Sequence, residues 1–198
     1  MKEGRLRTPT RSPVAWIAAA AAFAVMAPPA SAAAGDASEY IFQVDEIKAG
    51  DEVPGPASRE IRTRLGDEID SHDRLHAQFP AEAPDPDEDP EGLERFLDAR
   101  DLSAYDVHVE VTSYRAEVDE NPDAPGHIVT VAIGLRVFGE GIPRPTMDFS
   151  GEGSATVMVP TGRRVRNRDR AHAHKTAIEQ AVSEGIMTSL RELDAPRS

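Results

Sequence analysis

Three aspartates at alternate positions, Asp85, Asp87 and Asp89, stand in the stretch "FPAEAPDPDEDPEGL" at residues 79–93. Calcium loops present carboxylates at their first, third and fifth positions, turn sharply on a glycine at the sixth, and close the shell with a bidentate glutamate at the twelfth. Here the sixth position is Pro90 and the twelfth is Phe96. Without the glycine the backbone does not wrap an ion, and without the last carboxylate the shell stays open. Asp85, Asp87 and Asp89 are thus minor candidates for a divalent-ion module, and the expectation is no metal and no cofactor. The same stretch carries six carboxylates between Glu82 and Glu91 with no basic residue, and prolines at 80, 84, 86 and 90. Repeated proline removes backbone donors and like charges repel, so residues 80–91 read as an extended, hydrated loop that could also dock a cationic partner.

Histidines occur in two close pairs, His72 with His76 and His172 with His174. Such spacing serves zinc only when a third and a fourth ligand converge, and neither pair has them nearby in sequence. Both pairs, and His108 on an alternating strand pattern, therefore read as solvent-facing. The glycines of "GEGIP" and "SGEGSA" lack a phosphate-binding spacing, and Ser154 lacks the flanking glycines of a nucleophile elbow. They mark a turn and a bulge or close backbone approach within a sheet. No catalytic residues are assigned; an exported hydrolase built from sequence-distant groups is the alternative in the enzyme class.

A reversal of sign follows at "GRRVRNRDR", where Arg163, Arg164, Arg166, Arg168 and Arg170 face Asp169 alone in a chain of formal net charge -13. Guanidinium forks grip carboxylate and phosphate groups bidentately, so these five arginines are the candidate partner-binding residues. Two plainer readings compete: a solvated connector, or pairing with the chain's own acidic loop.

These groups must be positioned by regular elements. "YIFQVDEI" alternates Tyr40, Phe42 and Val44 as a strand does. Ile61, Leu65 and Ile69 recur every four residues after Pro56, which predicts an amphipathic helix opened by proline. Leu75, Ala77 and Phe79 predict a short second strand, and Asp89-Pro90 predicts the capped start of a second helix carrying Leu93, Phe96 and Leu97. Val107, Val109 and Val111, then Val129 to Val137 at alternate positions, then "TMDFSGEGSATVMV", predict an antiparallel meander. A closing helix keeps Ile178, Val182, Ile186, Leu190 and Leu193 on one stripe. The expected fold is α/β (α+β): a mixed, largely antiparallel sheet of about five strands with helices packed on it, in the order β-α-β-α-β-β-β-α.

The start of the chain carries an address. Lys2, Arg5, Arg7 and Arg11 precede the apolar run "VAWIAAAAAFAVMA", and "PPASA" ends in Ala30-Ser31-Ala32. That is the build of a secretory signal peptide over residues 1–32, cleaved after Ala32 and exported by the general route. A flexible tail (33–38), one α/β domain (39–194) and a short tail (195–198) are expected behind it. Cleavage would remove four basic residues and one acidic one, taking the formal charge from -13 to -16. Such a balance repels nucleic acid and anionic lipid, and no stable membrane insertion is expected once the leader is gone. With no cysteine anywhere, the domain folds on its core alone and carries no lipid on a thiol.

The runs "REIRTRLGDEIDSHDRLHAQF", "LERFLDARDLSAYDVHVEVTSYRAEV", "IVTVAIGLRVFGE" and "AIEQAVSEGIMTSLREL" resemble the envelope superfold shared by the TolB amino-terminal domain, penicillin-binding-protein activator lipoproteins and the curli secretion lipoprotein. The chain departs from these in having no lipidation cysteine and no propeller. What the resemblance implies is a non-catalytic binding or assembly role, with no individual residue carried over. Together these readings lead to a soluble binding factor of the bacterial cell envelope, periplasmic or secreted. Its expected partner is an envelope protein or an anionic envelope component, and its oligomeric state stays open.

Overall fold

The computed structural model describes residues 38–195. The expected leader, residues 33–37 of the tail and residues 196–198 lie outside the described residues. Five strands and three helices follow in the order read from the sequence: β1 (Glu39–Lys48), α1 (Gly55–Ser71), β2 (Leu75–His76), α2 (Pro90–Asp98), β3 (Leu102–Glu120), β4 (His127–Ile142), β5 (Met147–Thr161) and α3 (Asn167–Leu193). They form one mixed sheet with strand order β2-β1-β3-β4-β5. β1 pairs in parallel with β2 and β3, while β3, β4 and β5 form the antiparallel meander.

One face of the sheet and the helices α1 and α3 enclose the main core. Tyr40, Phe42, Tyr105, Val107, Val109 and the odd-numbered residues from Val129 to Val137 point into it, as the two-residue period requires. Ile61, Leu65 and Ile69 meet them from α1, and Ala177, Ile178, Ala181, Val182 and Ile186 from α3. At its centre Phe42 stacks on Phe149 with ring centroids 5.2 Å apart, and Tyr105 meets Phe149 edge-on at the same separation. The opposite face is covered at one end only, where Ile41 and Ala104 receive Leu93 and Leu97 of α2.

Three local departures from the sequence reading have physical causes. β2 is confined to Leu75 and His76 instead of running to Phe79. Leu75 belongs to the main core, whereas Phe79 packs in the α2 cluster on the other face, so the chain leaves the sheet edge between them. A bulge between Val111 and Ser113 shifts the register of β3, placing Tyr114, Ala116 and Val118 opposite Ile133, Val131 and Val129. α3 begins at Asn167, before its apolar stripe does, because Asp169 Oδ2 accepts a 2.9 Å hydrogen bond from the backbone N–H of Arg166 and opens the first turn earlier.

Glycine sets the distance between α3 and β5. A Cβ on Gly153 would collide with the carbonyl oxygen of Ala181, and one on Gly151 would lie 2.5 Å from the carbonyl oxygen of Gly185. This is the close approach anticipated for "SGEGSA". From the same helix, Glu192 accepts from the Ser150 N–H at 3.2 Å and Glu184 from the Ser154 N–H at 2.7 Å. Two backbone donors on the outer edge of β5 are thereby satisfied, which hinders edge-to-edge pairing there.

Candidate functional site

The arginine run occupies the connector from β5 to α3 and the first turn of that helix. Val165 packs against the main core and anchors the connector, while Arg163, Arg164, Arg166, Arg168 and Arg170 are all exposed around it. Arg168 lies 3.6 Å from the Asp169 carboxylate, whose other oxygen is engaged by the Arg166 backbone. Among the described residues, Arg163, Arg164, Arg166 and Arg170 make no ion pair. The connector curls around a concavity of about 710 Å³ lined by Gly162, Arg163, Arg164, Arg166 and Arg168. Arg168 and Arg170 also sit where the helix dipole is positive, a placement that works against local stability and that an anion would offset.

The acidic loop lies at the other end of the sheet. Phe79 and Ala83 pack with Ile142 and Leu102, beside the start of β3 and the end of β4, whereas the arginines follow the end of β5. Fifteen residues of β5 separate the two ends, a span of about 45 Å at the usual strand rise. Among the described residues no ion pair joins the arginine run to the acidic loop, as expected of segments at opposite ends of the sheet. The loop uses another cation, Arg100, which holds Glu82 at 3.1 Å; beyond the loop, Arg144 holds Glu94 of α2 at 2.9 Å.

Asp85, Asp87 and Asp89 do not converge as ligands. Asp85 Oδ1 accepts from the Asp87 N–H at 2.9 Å, a local turn, and Asp89 Oδ1 caps α2 by accepting from the Gly92 N–H at 2.8 Å. Among the described residues no group of three or more histidine, aspartate or glutamate side chains could hold a metal ion.

The histidine pairs are also separated. His72 Nδ1 accepts from the Arg74 N–H at 3.3 Å, while His76, on β2, contacts Glu39 at 3.0 Å. His172 is exposed, but His174 is half-buried under Tyr114, stacked on its ring at a centroid distance of 5.9 Å and hydrogen-bonded to its hydroxyl at 2.9 Å. Burial, and then the nearby charge of Arg170, push the His174 pKa below its ordinary value. His108 is not the solvent-facing residue expected: it stacks on Phe138 at 5.2 Å on the half-covered sheet face, with Asp45 3.7 Å away. Among the described residues, no hydrogen bond joins a serine hydroxyl to a histidine ring, and the Ser154 N–H is taken by Glu184.

Sequence reasoning missed one constellation. Arg74 donates to both carboxylate oxygens of Asp194, at 2.9 and 2.6 Å, and to the Ser38 carbonyl at 3.0 Å; Tyr40 donates its hydroxyl proton to the same carboxylate at 3.1 Å. These contacts tie the start of β1 to the end of α3. The pairs are separated by 120 and 154 residues, so no spacing announces them.

A second concavity, about 530 Å³, opens beside α2 between Leu97, Leu102, Ile142 and Arg144. Its wall mixes apolar and polar groups and includes the Arg144–Glu94 ion pair. No helix among the described residues is long and apolar enough to cross a membrane.

No protein-family model matches the chain, and a search of curated proteins returns no match. Solved structures similar to it include a protein of the DUF330 family from Xanthomonas campestris, 13% identical over 79% of this chain and 86% of that one, with a TM-score of 0.42. Another is a lipoprotein candidate from Caulobacter crescentus, 9% identical over 77% and 85%, with a TM-score of 0.41. A third is a candidate homolog of a neuraminyllactose-binding hemagglutinin from Helicobacter pylori, 14% identical over 80% and 83%, also at 0.41. Likenesses of this size carry no argument about activity. The order of the elements is the one expected from the sequence, but none of these comparisons shows the TolB-type superfold itself.

Proposed function

We propose that the chain is an exported, non-catalytic binding or assembly factor of the bacterial cell envelope, and that the arginine run is the surface that takes an anionic partner. The observation that carries this reading is the set of four guanidiniums, Arg163, Arg164, Arg166 and Arg170, exposed without an ion pair among the described residues, along the connector into α3 and its first turn. In a chain of net charge -13, random encounters with anions are repelled. A concentrated cationic patch held by two rigid elements therefore selects one orientation of approach. The leader-like start of the sequence supports an envelope address.

In-cell crosslinking followed by affinity purification tests this, with Arg163, Arg164, Arg166 and Arg170 changed to alanine in parallel. A discrete envelope component recovered with the native chain and lost with the variant is the expected result. Equal recovery with both chains would remove the arginines from the interface. Turnover of a substrate by the purified chain, abolished by a single substitution, would replace the reading with the hydrolase alternative.

A further inference from the structure

The two charged segments are complementary, and most of the charges in each have no ion pair among the described residues. At one end, Arg163, Arg164, Arg166 and Arg170 have no ion pair; at the other, neither do Asp85, Asp87, Glu88, Asp89 and Glu91 among the described residues. The segments are close in length and project from opposite ends of one sheet, about 45 Å apart by the strand rise. The β3–β4 turn lies beside the connector, with Glu120 at the end of β3 and Asp123 in the turn, yet among the described residues no ion pair joins either to an arginine.

We infer that the arginine run docks the acidic loop of a second copy of this chain, joining copies head to tail. The inference rests on the proposed function, in which the arginine run is a binding surface, and names its occupant. Two copies, each of formal net charge -13 as the full chain and -16 once residues 1–32 are removed, repel one another over most of their surfaces. The encounter of a cationic end with an anionic end is the orientation in which that repulsion turns to attraction. Because the two patches differ, the contact is heterologous: each added copy leaves one free cationic end and one free anionic end, so growth continues until a ring closes. Exposed ion pairs contribute little individually, so the association is salt-sensitive and depends on several pairs acting together.

Sedimentation tests this on the full chain purified from the envelope or medium of an expressing bacterium. The native chain is expected to show an average mass at least about twice that of one chain at about 20 mM salt, falling to that of one chain at about 0.5 M. Two neutralised variants separate the ends. One carries Arg163→Gln, Arg164→Gln, Arg166→Gln and Arg170→Gln; the other carries Asp87→Asn, Glu88→Gln and Glu91→Gln, sparing Asp85 and Asp89 because they hold the local turn and the cap of α2. Each variant alone is expected to stay single at low salt. Their mixture is expected to give a species of two chains and nothing larger, since one intact arginine run then meets one intact acidic loop. Arg163→Gln with Arg164→Gln, confined to the connector, serves as a milder variant should the fourfold change impair folding.

A native chain that stays single at every concentration and low salt overturns the inference, as does self-association unchanged in either variant. If the chain stays single while the arginine substitutions still abolish capture of an envelope component in cells, self-association fails and the proposed function stands. Loss of neither signal on arginine replacement overturns both.

Discussion

At the residue scale, the most informative side chain is His174. Its ring is packed against Tyr114 and its charge is disfavoured first by burial and then by Arg170, so it stays neutral where an ordinary histidine has begun to protonate. Because its folded pKa lies below the unfolded one, the unfolded state binds the proton more readily. Stability is therefore unaffected well above the ordinary histidine pKa and declines as pH falls through it, until the folded group is also protonated. An NMR titration of the His174 ring is expected to show a midpoint below 6.5, and Arg170→Gln is expected to move that midpoint upward. A midpoint at or above the ordinary value would mean that the stacking seen here does not persist in solution. The residue thus doubles as a reporter on the arginine run, since an anion bound near Arg170 would shift it in the same upward direction.

At the scale of elements, the helix–strand contact between α3 and β5 depends on glycine. Gly153→Ala places a methyl group against the Ala181 carbonyl oxygen, and neither backbone yields without lifting the helix from the sheet. A loss of about 1–3 kcal/mol is expected from overpacking of this kind. Gly162→Ala, whose added methyl group meets nothing within 4 Å, is expected to leave stability nearly unchanged. Urea unfolding of the two variants measures the contrast; equal midpoints would show that the helix can shift freely along the strand. α3 also presents Glu184 and Glu192 to the β5 edge, so displacing it would free backbone donors as well as core area.

At the scale of the whole molecule, the Arg74–Asp194 fork and Tyr40 fasten the first strand to the last helix. Hydrogen bonds from Arg74, and then the one from Tyr40, hold the Asp194 carboxyl below the usual carboxylate range despite partial burial. With the folded pKa depressed, the contribution is fully present above the unfolded carboxylate pKa and is lost as pH falls through the folded one. Asp194 is 45% exposed, so solvent screens the pair, and Asp194→Asn is expected to lower stability near neutral pH by only about 1 kcal/mol. The difference between native and variant unfolding midpoints should close in acid; a constant difference would assign the loss to packing instead of charge.

Elements whose signal is local were legible from the chain. Whether an apolar residue recurs at every second or every fourth position decides which side of a strand or helix is greasy. Val107, Val109 and Val111 announced β3 this way, and Ile61, Leu65 and Ile69 announced α1. Asp89-Pro90 announced the start of α2 because the capping bond spans only three residues. The order of elements and the mixed character of the sheet followed from these patterns. The segregation of charge into an acidic loop and an arginine run was equally plain, since charge is written residue by residue. Only the tertiary structure decided that these segments lie at opposite ends of the sheet, because their separation depends on how β5 is paired and not on the residues between them. The shortness of β2, the β3 bulge, the burial of His174 under Tyr114 and the clasp of Arg74 on Asp194 were invisible for the same reason. Each is a meeting of groups remote in sequence, selected by the register and packing of the sheet, and no spacing along the chain encodes it.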